Sequence, residues 1–330
     1  MTEASQTPDV AQTSRAATHP YRGFVYIGSA AVFWGISASL GRAAFTGRLL
    51  PSSGIKSITP LVLSQARTSF SFLVVLIGFL VLVRVRHLRI GWGDLARIFL
   101  LGLAGVAASN YFYYVAIERT NVATAIIVQY TAPVWVLLYM LARRYEKPTL
   151  SKLLSVLLAI TGIALVIGLF GGGKLHLDVK GVLAALAAAF SFAYYNIAGH
   201  SILARFNRWV VLFYTTLSAS LFWIIVNPPR QIAAAHYSST SWLFLFVFAM
   251  LSVLIPFSLY FAGLQHLVPT KAIVASCLEP VFTVLIAAAA LGEAVHGLQA
   301  LGIAMVLAAI VVVQRSANGV TGSPVVEPVD

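Results

Sequence analysis

The stretch Ala125-Ile126-Ile127-Val128-Gln129-Tyr130-Thr131-Ala132-Pro133-Val134-Trp135 is echoed later in the chain by Ala272-Ile273-Val274-Ala275-Ser276-Cys277-Leu278-Glu279-Pro280-Val281-Phe282. A constant offset of 147 positions pairs Ala125 with Ala272, Ile126 with Ile273, Pro133 with Pro280 and Val134 with Val281, and carries on to pair Glu146 with Glu293. Just upstream, Tyr114-Val115-Ala116 matches Tyr260-Phe261-Ala262 at an offset of 146. A lone proline match means little in apolar sequence. A proline and a glutamate thirteen residues apart in both copies mark an internal repeat.

Both copies lie in long apolar runs. A helix needs about 20 apolar residues to cross a hydrocarbon layer about 30 Å thick. Ten such runs can be read, at 23–44, 59–83, 94–117, 121–142, 151–170, 180–203, 208–227, 242–265, 269–290 and 297–314. Breakers separate them, among them Pro51-Ser52-Ser53-Gly54, Glu146-Lys147-Pro148, Gly171-Gly172-Gly173 and Asn227-Pro228-Pro229. Barrel strands alternate and are about ten residues long, so continuous runs of this length argue against a barrel. The expected fold is an all-α membrane protein with ten transmembrane helices.

Composition agrees. The 330 residues are 59% hydrophobic and 10% charged, with a mean hydropathy of +0.89. A water-soluble domain carries about 25% charged residues, so most of this surface must face lipid. The net charge of +12 sits in short basic clusters between apolar runs, a pattern of membrane orientation rather than of nucleic-acid binding. With the N-terminus inside, fourteen Lys and Arg fall on cytoplasmic segments and seven on outer ones, which predicts both termini in the cytoplasm and a multi-pass protein of the plasma (cell inner) membrane. The single cysteine, Cys277, excludes an internal disulfide framework and a thiolate metal cage. No apolar segment begins before about Phe24, which argues against a cleaved signal peptide.

The repeat unit holds five spans. An odd number forces the second copy to enter the membrane upside down, giving two inverted five-helix repeats. Inverted repeats suit transporters, in which two similar halves exchange conformations around a midplane site. The expected organisation is a disordered cytoplasmic tail at 1–21, a first repeat at 22–170, an outer linker at 171–179, a second repeat at 180–315 and a second cytoplasmic tail at 316–330.

With these features in place, the chain resembles the EamA-type transporters of the drug/metabolite transporter superfamily over about residues 22–315. The resemblance rests on two Ala-rich segments with Pro-Val-aromatic followed by Glu, on Phe33-Trp34-Gly35, Arg67 and Leu278-Glu279-Pro280, and on Gly162-Ile163-Ala164 and Gly302-Ile303-Ala304. The family's pattern often has an acidic residue before the proline in both halves. Here the first copy reads Thr131-Ala132-Pro133. The resemblance implies a carrier that exports amino acids, metabolites or drugs, while relatives in the wider superfamily move nucleotide-sugars and sugar phosphates.

Among side chains, Glu279 is the one carboxylate deep inside a span. An ion at mid-bilayer costs at least about 2.5–3.5 kcal/mol, so Glu279 must face a wet cavity, find a partner or be protonated. It could couple cations or protons, recognise a substrate amine, or cap backbone freed by Pro280. Arg67, about a third of the way into the second run, is its basic counterpart and could hold a substrate carboxylate or pair with Glu279 or backbone carbonyls. Pro133 and Pro280 interrupt helical hydrogen bonding and are candidates for helix breaks or gating. Trp34, Asn110, Tyr113, Tyr114, Gln129, Tyr194, Tyr195, Asn196, Tyr260 and Ser276 are the remaining candidates for contact with substrate. Lys271 reads as an interfacial anchor or an anion contact. Glu146 and Glu293 end the repeated helices, where a carboxylate opposes the helix dipole, so specific structural partners are expected.

Other chemistry finds little footing. Gly168 to Lys174 imitates a phosphate loop, but Leu175 replaces the magnesium-binding Ser or Thr and a span precedes it instead of a strand. Asp94 and Asp178 lie in or next to loops, and no His-Glu-x-x-His occurs. The reading is therefore a secondary transporter rather than an enzyme, without metal, cofactor or nucleic acid. It exports small organic metabolites such as amino acids or drug-like amphiphiles by alternating access, with a small-molecule substrate and the lipid bilayer as partners. Protons or another coupling ion and a homodimer stay open, as do a carrier of anionic metabolites such as sugar phosphates or nucleotide-sugars and, from another class, a channel or receptor or, last, an intramembrane enzyme.

Overall fold

Within hydrocarbon, every backbone N–H and C=O must be paired inside the chain, which leaves helices as the answer for runs of this kind. The computed structural model describes residues 19–45, 58–81, 88, 90–169, 178–234, 236–291 and 294–316. Glu293, residues 170–174 of the phosphate-loop-like run, most of the expected linker 171–179 and nearly all of the two expected tails lie outside the described residues.

The helices are α1 Pro20–Phe45, α2 Pro60–Val81, α3 Trp92–Leu100, α4 Ala108–Arg119, α5 Val122–Gln129, α6 Ala132–Ala142, α7 Leu150–Val166, α8 Val179–Leu203, α9 Arg208–Val226, α10 Pro229–Ala234, α11 Ser239–Ala249, α12 Ile255–Leu264, α13 Pro269–Ser276, α14 Leu278–Leu291 and α15 Gly297–Arg315. Short π-helical segments, Leu101–Ala107 and Met250–Leu254, join α3 to α4 and α11 to α12. Among the described residues this makes nine helical rods long and apolar enough to cross a membrane, and a shorter tenth, α7, of 17 residues. The ten expected spans are thus present as an all-helical membrane protein.

Polar residues just before the apolar runs set where several helices begin. Asn121 accepts from Thr124 N at 2.8 Å, Asp178 from Gly181 N at 2.8 Å, Asn207 from Trp209 N at 2.9 Å and Ser238 from Ser241 N at 3.2 Å. The outward faces are apolar: Leu73, Ile77 and Leu80 on α2, Leu153 and Leu157 on α7, and Leu301 and Leu307 on α15 are all exposed. In water such a surface would aggregate, whereas lipid covers it.

Irregularities recur at matching positions of the repeat. The fourth span breaks at Tyr130-Thr131 between α5 and α6, and the ninth breaks at Cys277 between α13 and α14. The offset of 147 maps Tyr130 onto Cys277. The π-helical turns fall in the third and eighth spans, again at corresponding places. Both breaks lie two to three residues before the prolines, because a proline fits the first turn of a new helix but not the interior of an old one. Pro133 is accordingly the second residue of α6 and Pro280 the third of α14.

The last helix of each half, α7 and α15, run antiparallel against each other. Gly162 and Gly302 make the approach possible: a Cβ on Gly162 would stand 2.8 Å from Gly302 O, and one on Gly302 would stand 2.5 Å from Gly162 O. Small residues of this kind let membrane helices touch backbone to backbone. Gln299 Nε2 adds a hydrogen bond to Val166 O at 3.2 Å. Gly302→Leu should force these helices apart and cost about 1–3 kcal/mol, as overpacking does. Thermal melting in detergent checks this: the variant should melt several degrees lower, and Gly297→Leu, where nothing lies within 4 Å of a Cβ, should change little.

Candidate functional site

The polar residues that interrupt the apolar spans gather around the two helix breaks and the first π-helical turn. Asn110 stands one turn beyond that π segment. Its Nδ2 donates to Val106 O at 2.7 Å, which leaves Oδ1 free to accept from Arg67 Nη2. Arg67 is half-buried, and its Nε has no hydrogen-bond partner among the described residues. A buried N–H without a partner costs about 1–3 kcal/mol, a cost that a bound acceptor removes.

Glu279 sits in the first turn of α14, immediately past the second break, where the positive end of the half-helix favours a carboxylate. Tyr130, at the first break, donates its Oη to Glu279 Oε2 at 3.1 Å. The two breaks therefore meet through one hydrogen bond that ties the first repeat to the second. Arg67 is near enough for its charge to act on Glu279, and Tyr113 is also in the field of that carboxylate. Yet among the described residues Arg67 and Glu279 make no ion pair within 4.0 Å. Each charge has a neutral partner, and both side chains keep accessible surface although they lie at mid-span.

Aromatic rings extend from this cluster. Trp34 of α1 packs on Tyr260 and Phe257 with ring centroids 5.3 and 5.6 Å away. Tyr113 and Tyr114 lie 6.1 Å apart, and Tyr114 reaches Trp223 at 6.5 Å. Gln129 Nε2 donates to Ser109 Oγ at 3.4 Å, and Ser109 Oγ donates to Ala188 O at 3.3 Å.

The nominated residues fall into two layers. Arg67, Asn110, Tyr113, Tyr114, Gln129, Trp34 and Glu279 are half-buried around the breaks, and Tyr194 is half-buried on α8. Tyr195, Asn196, Tyr260 and Ser276 are buried behind them. Tyr260 Oη donates to Asn196 Oδ1, Asn196 Nδ2 donates to Phe192 O at 2.8 Å, and Ser276 Oγ donates to Ile273 O at 2.7 Å. This second layer holds Trp34 in place through Tyr260. Pro133 and Pro280 are also buried. Glu293 lies outside the described residues.

Two residues with a part in this arrangement, and one buried charge apart from it, escaped the sequence reading. Tyr130 lies inside the repeated stretch, and its position three residues before Pro133 is the signal that could have found it. Phe257 is one apolar ring among many and carries no such signal. Lys152 looks like one more loop cation, yet it is 2% exposed and its Nζ stands 2.8 Å from Glu146 Oε2. It also donates to Lys147 O at 3.0 Å. Lys271, read as an interfacial anchor, is buried too, with Nζ donating to Ser316 O at 3.1 Å. Charges withdrawn from water thus include Glu146, Lys152 and Lys271 as well as the mid-span pair. The reason is tertiary: α13 packs against α6, α7 and α15, which brings Lys271 near Glu146 and Lys152.

The family model described as the EamA-like transporter family matches residues 21–168 and again 179–315. The chain is 22% identical over 294 residues to the uncharacterized inner membrane transporter YicL of Salmonella typhimurium, covering 88% of this chain and 95% of that one. It is 26% identical over 255 residues to the threonine/homoserine exporter RhtA of the same species, covering 77% and 83%. A solved crystal structure shares the fold with a TM-score of 0.71 at 22% identity, over 88% of this chain and 95% of its own.

The buried Glu146–Lys152 pair gives a direct stability test. Removing one partner of a buried pair strands the other charge and costs about 3–5 kcal/mol, whereas an exposed pair such as Arg205–Asp94, at 3.0 Å, contributes about 0–1 kcal/mol. Lys152→Met should therefore lower the melting temperature sharply, Glu146→Gln with Lys152→Met should recover much of the loss, and Arg205→Gln should do little. A double-mutant cycle read by thermal melting measures all three.

Proposed function

The chain belongs to the EamA-like transporter family and is a multi-pass membrane transporter; on that premise we propose that it exports small zwitterionic amino acids by alternating access. The observation that carries this reading is the mid-span placement of Arg67 and Glu279. Opposite charges act on one another there without pairing, each is steadied by a neutral neighbour, and Arg67 Nε is unspent. A zwitterion presents the matching pattern. Its carboxylate takes the guanidinium N–H and its ammonium faces the Glu279 carboxylate, so both ends bring the charge that low-dielectric surroundings demand.

The breaks supply the means of movement. Discontinuous helices at the interface of inverted repeats are where transporters bind substrate, because half-helix ends and side chains replace the missing ladder bonds. Tyr130 and Glu279 lie on the two opposing breaks, and their single hydrogen bond is the link that changes when one half rocks against the other. Trp34, Tyr113 and Tyr114 offer rings to a small apolar or hydroxylated side chain. RhtA, by its name, exports threonine and homoserine, which fits this class of cargo. An anionic metabolite with several negative groups finds less support: Arg67 is the one cation in the mid-span cluster, and Lys271 is held against Ser316.

Counterflow in proteoliposomes tests the proposal. Free amino acids should exchange saturably, while their methyl esters, lacking the carboxylate, and their N-acetyl derivatives, lacking the ammonium, should exchange poorly. Arg67→Gln and Glu279→Gln should each slow exchange roughly tenfold or more, the weight of one charge-assisted hydrogen bond. Full exchange in both variants, or equal exchange of ester and free acid, would overturn the assignment.

A further inference from the structure

At the start of α1, three parts of the chain bring basic side chains to one place. Gly23 packs directly on the turn that joins α12 to α13. A Cβ there would stand 2.6 Å from Leu267 Cγ and 3.0 Å from His266 Cβ, so the glycine is what lets this turn sit against α1. His266 consequently lies beside the first turns of α1, with its ring stacked on Tyr26 at a centroid distance of 6.0 Å. His19 just before α1, Arg22 in its first turn and Arg208 in the first turn of α9 are close enough for their charges to act on His266.

Among the described residues, none of His19, Arg22, Arg208 and His266 is ion-paired, and no carboxylate is among the charges that face His266. The His266 Nδ1 is buried without a hydrogen-bond partner among the described residues. Arg97 and Arg205, by contrast, share Asp94 as a counter-charge. Cations gathered without an acid beside them repel one another, and an anion from outside relieves that repulsion.

Depth identifies that anion. Arg22 and Arg208 stand in the opening turns of two membrane-crossing helices, α1 and α9, and therefore at a bilayer surface. Exposed aromatic residues flank them, Tyr21 at 80% exposure and Trp209 at 42%, with the Arg208 guanidinium 5.7 Å from the Trp209 ring centroid. Amphipathic rings at span ends mark the headgroup level of the bilayer. Basic pockets between helices at that level hold lipid phosphates. We propose that His19, Arg22, Arg208 and His266 form a binding site for the phosphate of an anionic phospholipid headgroup.

The site has a built-in pH dependence. Burial first, and then Arg22, His19 and Arg208, hold the His266 imidazole below its usual range, so it is neutral at neutral pH in the empty site. A bound phosphate offsets the charges of Arg22 and Arg208 and raises the proton affinity of His266. By linkage, protonation and lipid binding then favour one another, and affinity should rise as pH falls.

Native mass spectrometry of the full chain, released from detergent doped with phosphatidylglycerol or phosphatidylcholine, reads the site directly. The wild type should retain phosphatidylglycerol about fivefold or more over phosphatidylcholine, roughly the weight of one basic residue at an anionic surface. Arg22→Gln with Arg208→Gln should abolish the preference, while Arg22→Lys with Arg208→Lys should keep most of it. Melting in phosphatidylcholine confirms that both double variants are folded. Retention should be stronger near about pH 5.5 than near about pH 8, and His19→Gln with His266→Gln should remove that difference, with His266→Gln alone reducing it. Equal retention of the two lipids by the wild type, or an undiminished preference in the Gln double variant, overturns the site. Displacement of phosphatidylglycerol by an equal concentration of inorganic phosphate also overturns it, because the cluster would then be a site for a free anion.

Discussion

Hydrocarbon offers no hydrogen-bond partner, and that condition organises everything else in the molecule. Spans two dozen residues long are tolerable because each backbone group bonds within its own helix. Where the ladder is interrupted, side chains take over. At the first break Thr131 Oγ1 donates to Val128 O at 2.7 Å, and Trp135 Nε1 in turn donates to Thr131 Oγ1 at 3.2 Å. At the second break Ser276 serves Ile273 O and Thr283 Oγ1 donates to Glu279 O at 2.9 Å. At the π-helical turns Asn110 serves Val106 O and Ser252 serves Phe248 O at 2.6 Å. Asn110 does both jobs: it serves a carbonyl of the first π-helical turn and holds Arg67 in the mid-span cluster. Structure and site share a cause.

Charge is handled in two contrasting ways. Glu146 and Lys152 close on each other at 2.8 Å and leave water together. Arg67 and Glu279 stay apart and lean on neutral partners. The repeat makes the contrast sharper, because the two halves have diverged at these positions. The offset of 147 sets Ala132 against Glu279, Gln299 against Lys152 and Thr124 against Lys271. An architecture of matched halves thus carries an unmatched distribution of charge, with one acidic break and one neutral break, and with a buried ion pair described at one membrane face.

Much of this was legible in the residues. Ten apolar runs separated by Pro and Gly gave the spans, because length against bilayer thickness is a strong constraint. Arg67 and Glu279 stood out because a charge inside such a run is costly. Pro133 and Pro280 announced interrupted helices, although the breaks fall a few residues upstream, where a new helix can begin. Other features were illegible for physical reasons. The π-helical turns have no shared local signature: one span carries Pro256 just beyond its turn and the other has no proline there. Lys152 follows a basic loop and reads like any interfacial cation until packing covers it. Tyr195 and Tyr260 read as candidates to face substrate, and whether a ring faces a site or supports it depends on helix rotation, which periodicity in an all-apolar span does not encode.

The crossing of Gly162 and Gly302 ties the history of the two halves together. Elsewhere each copy has been free to drift, as Ala132 and Glu279 show. At this crossing a side chain gained by one copy would run into the backbone of the other. The allowed volume belongs to neither copy alone, so changes here are strongly epistatic: bulk added on α7 is acceptable only if α15 recedes, and the reverse. A protein built from two copies can specialise its halves for different duties only while they keep step at the place where they touch.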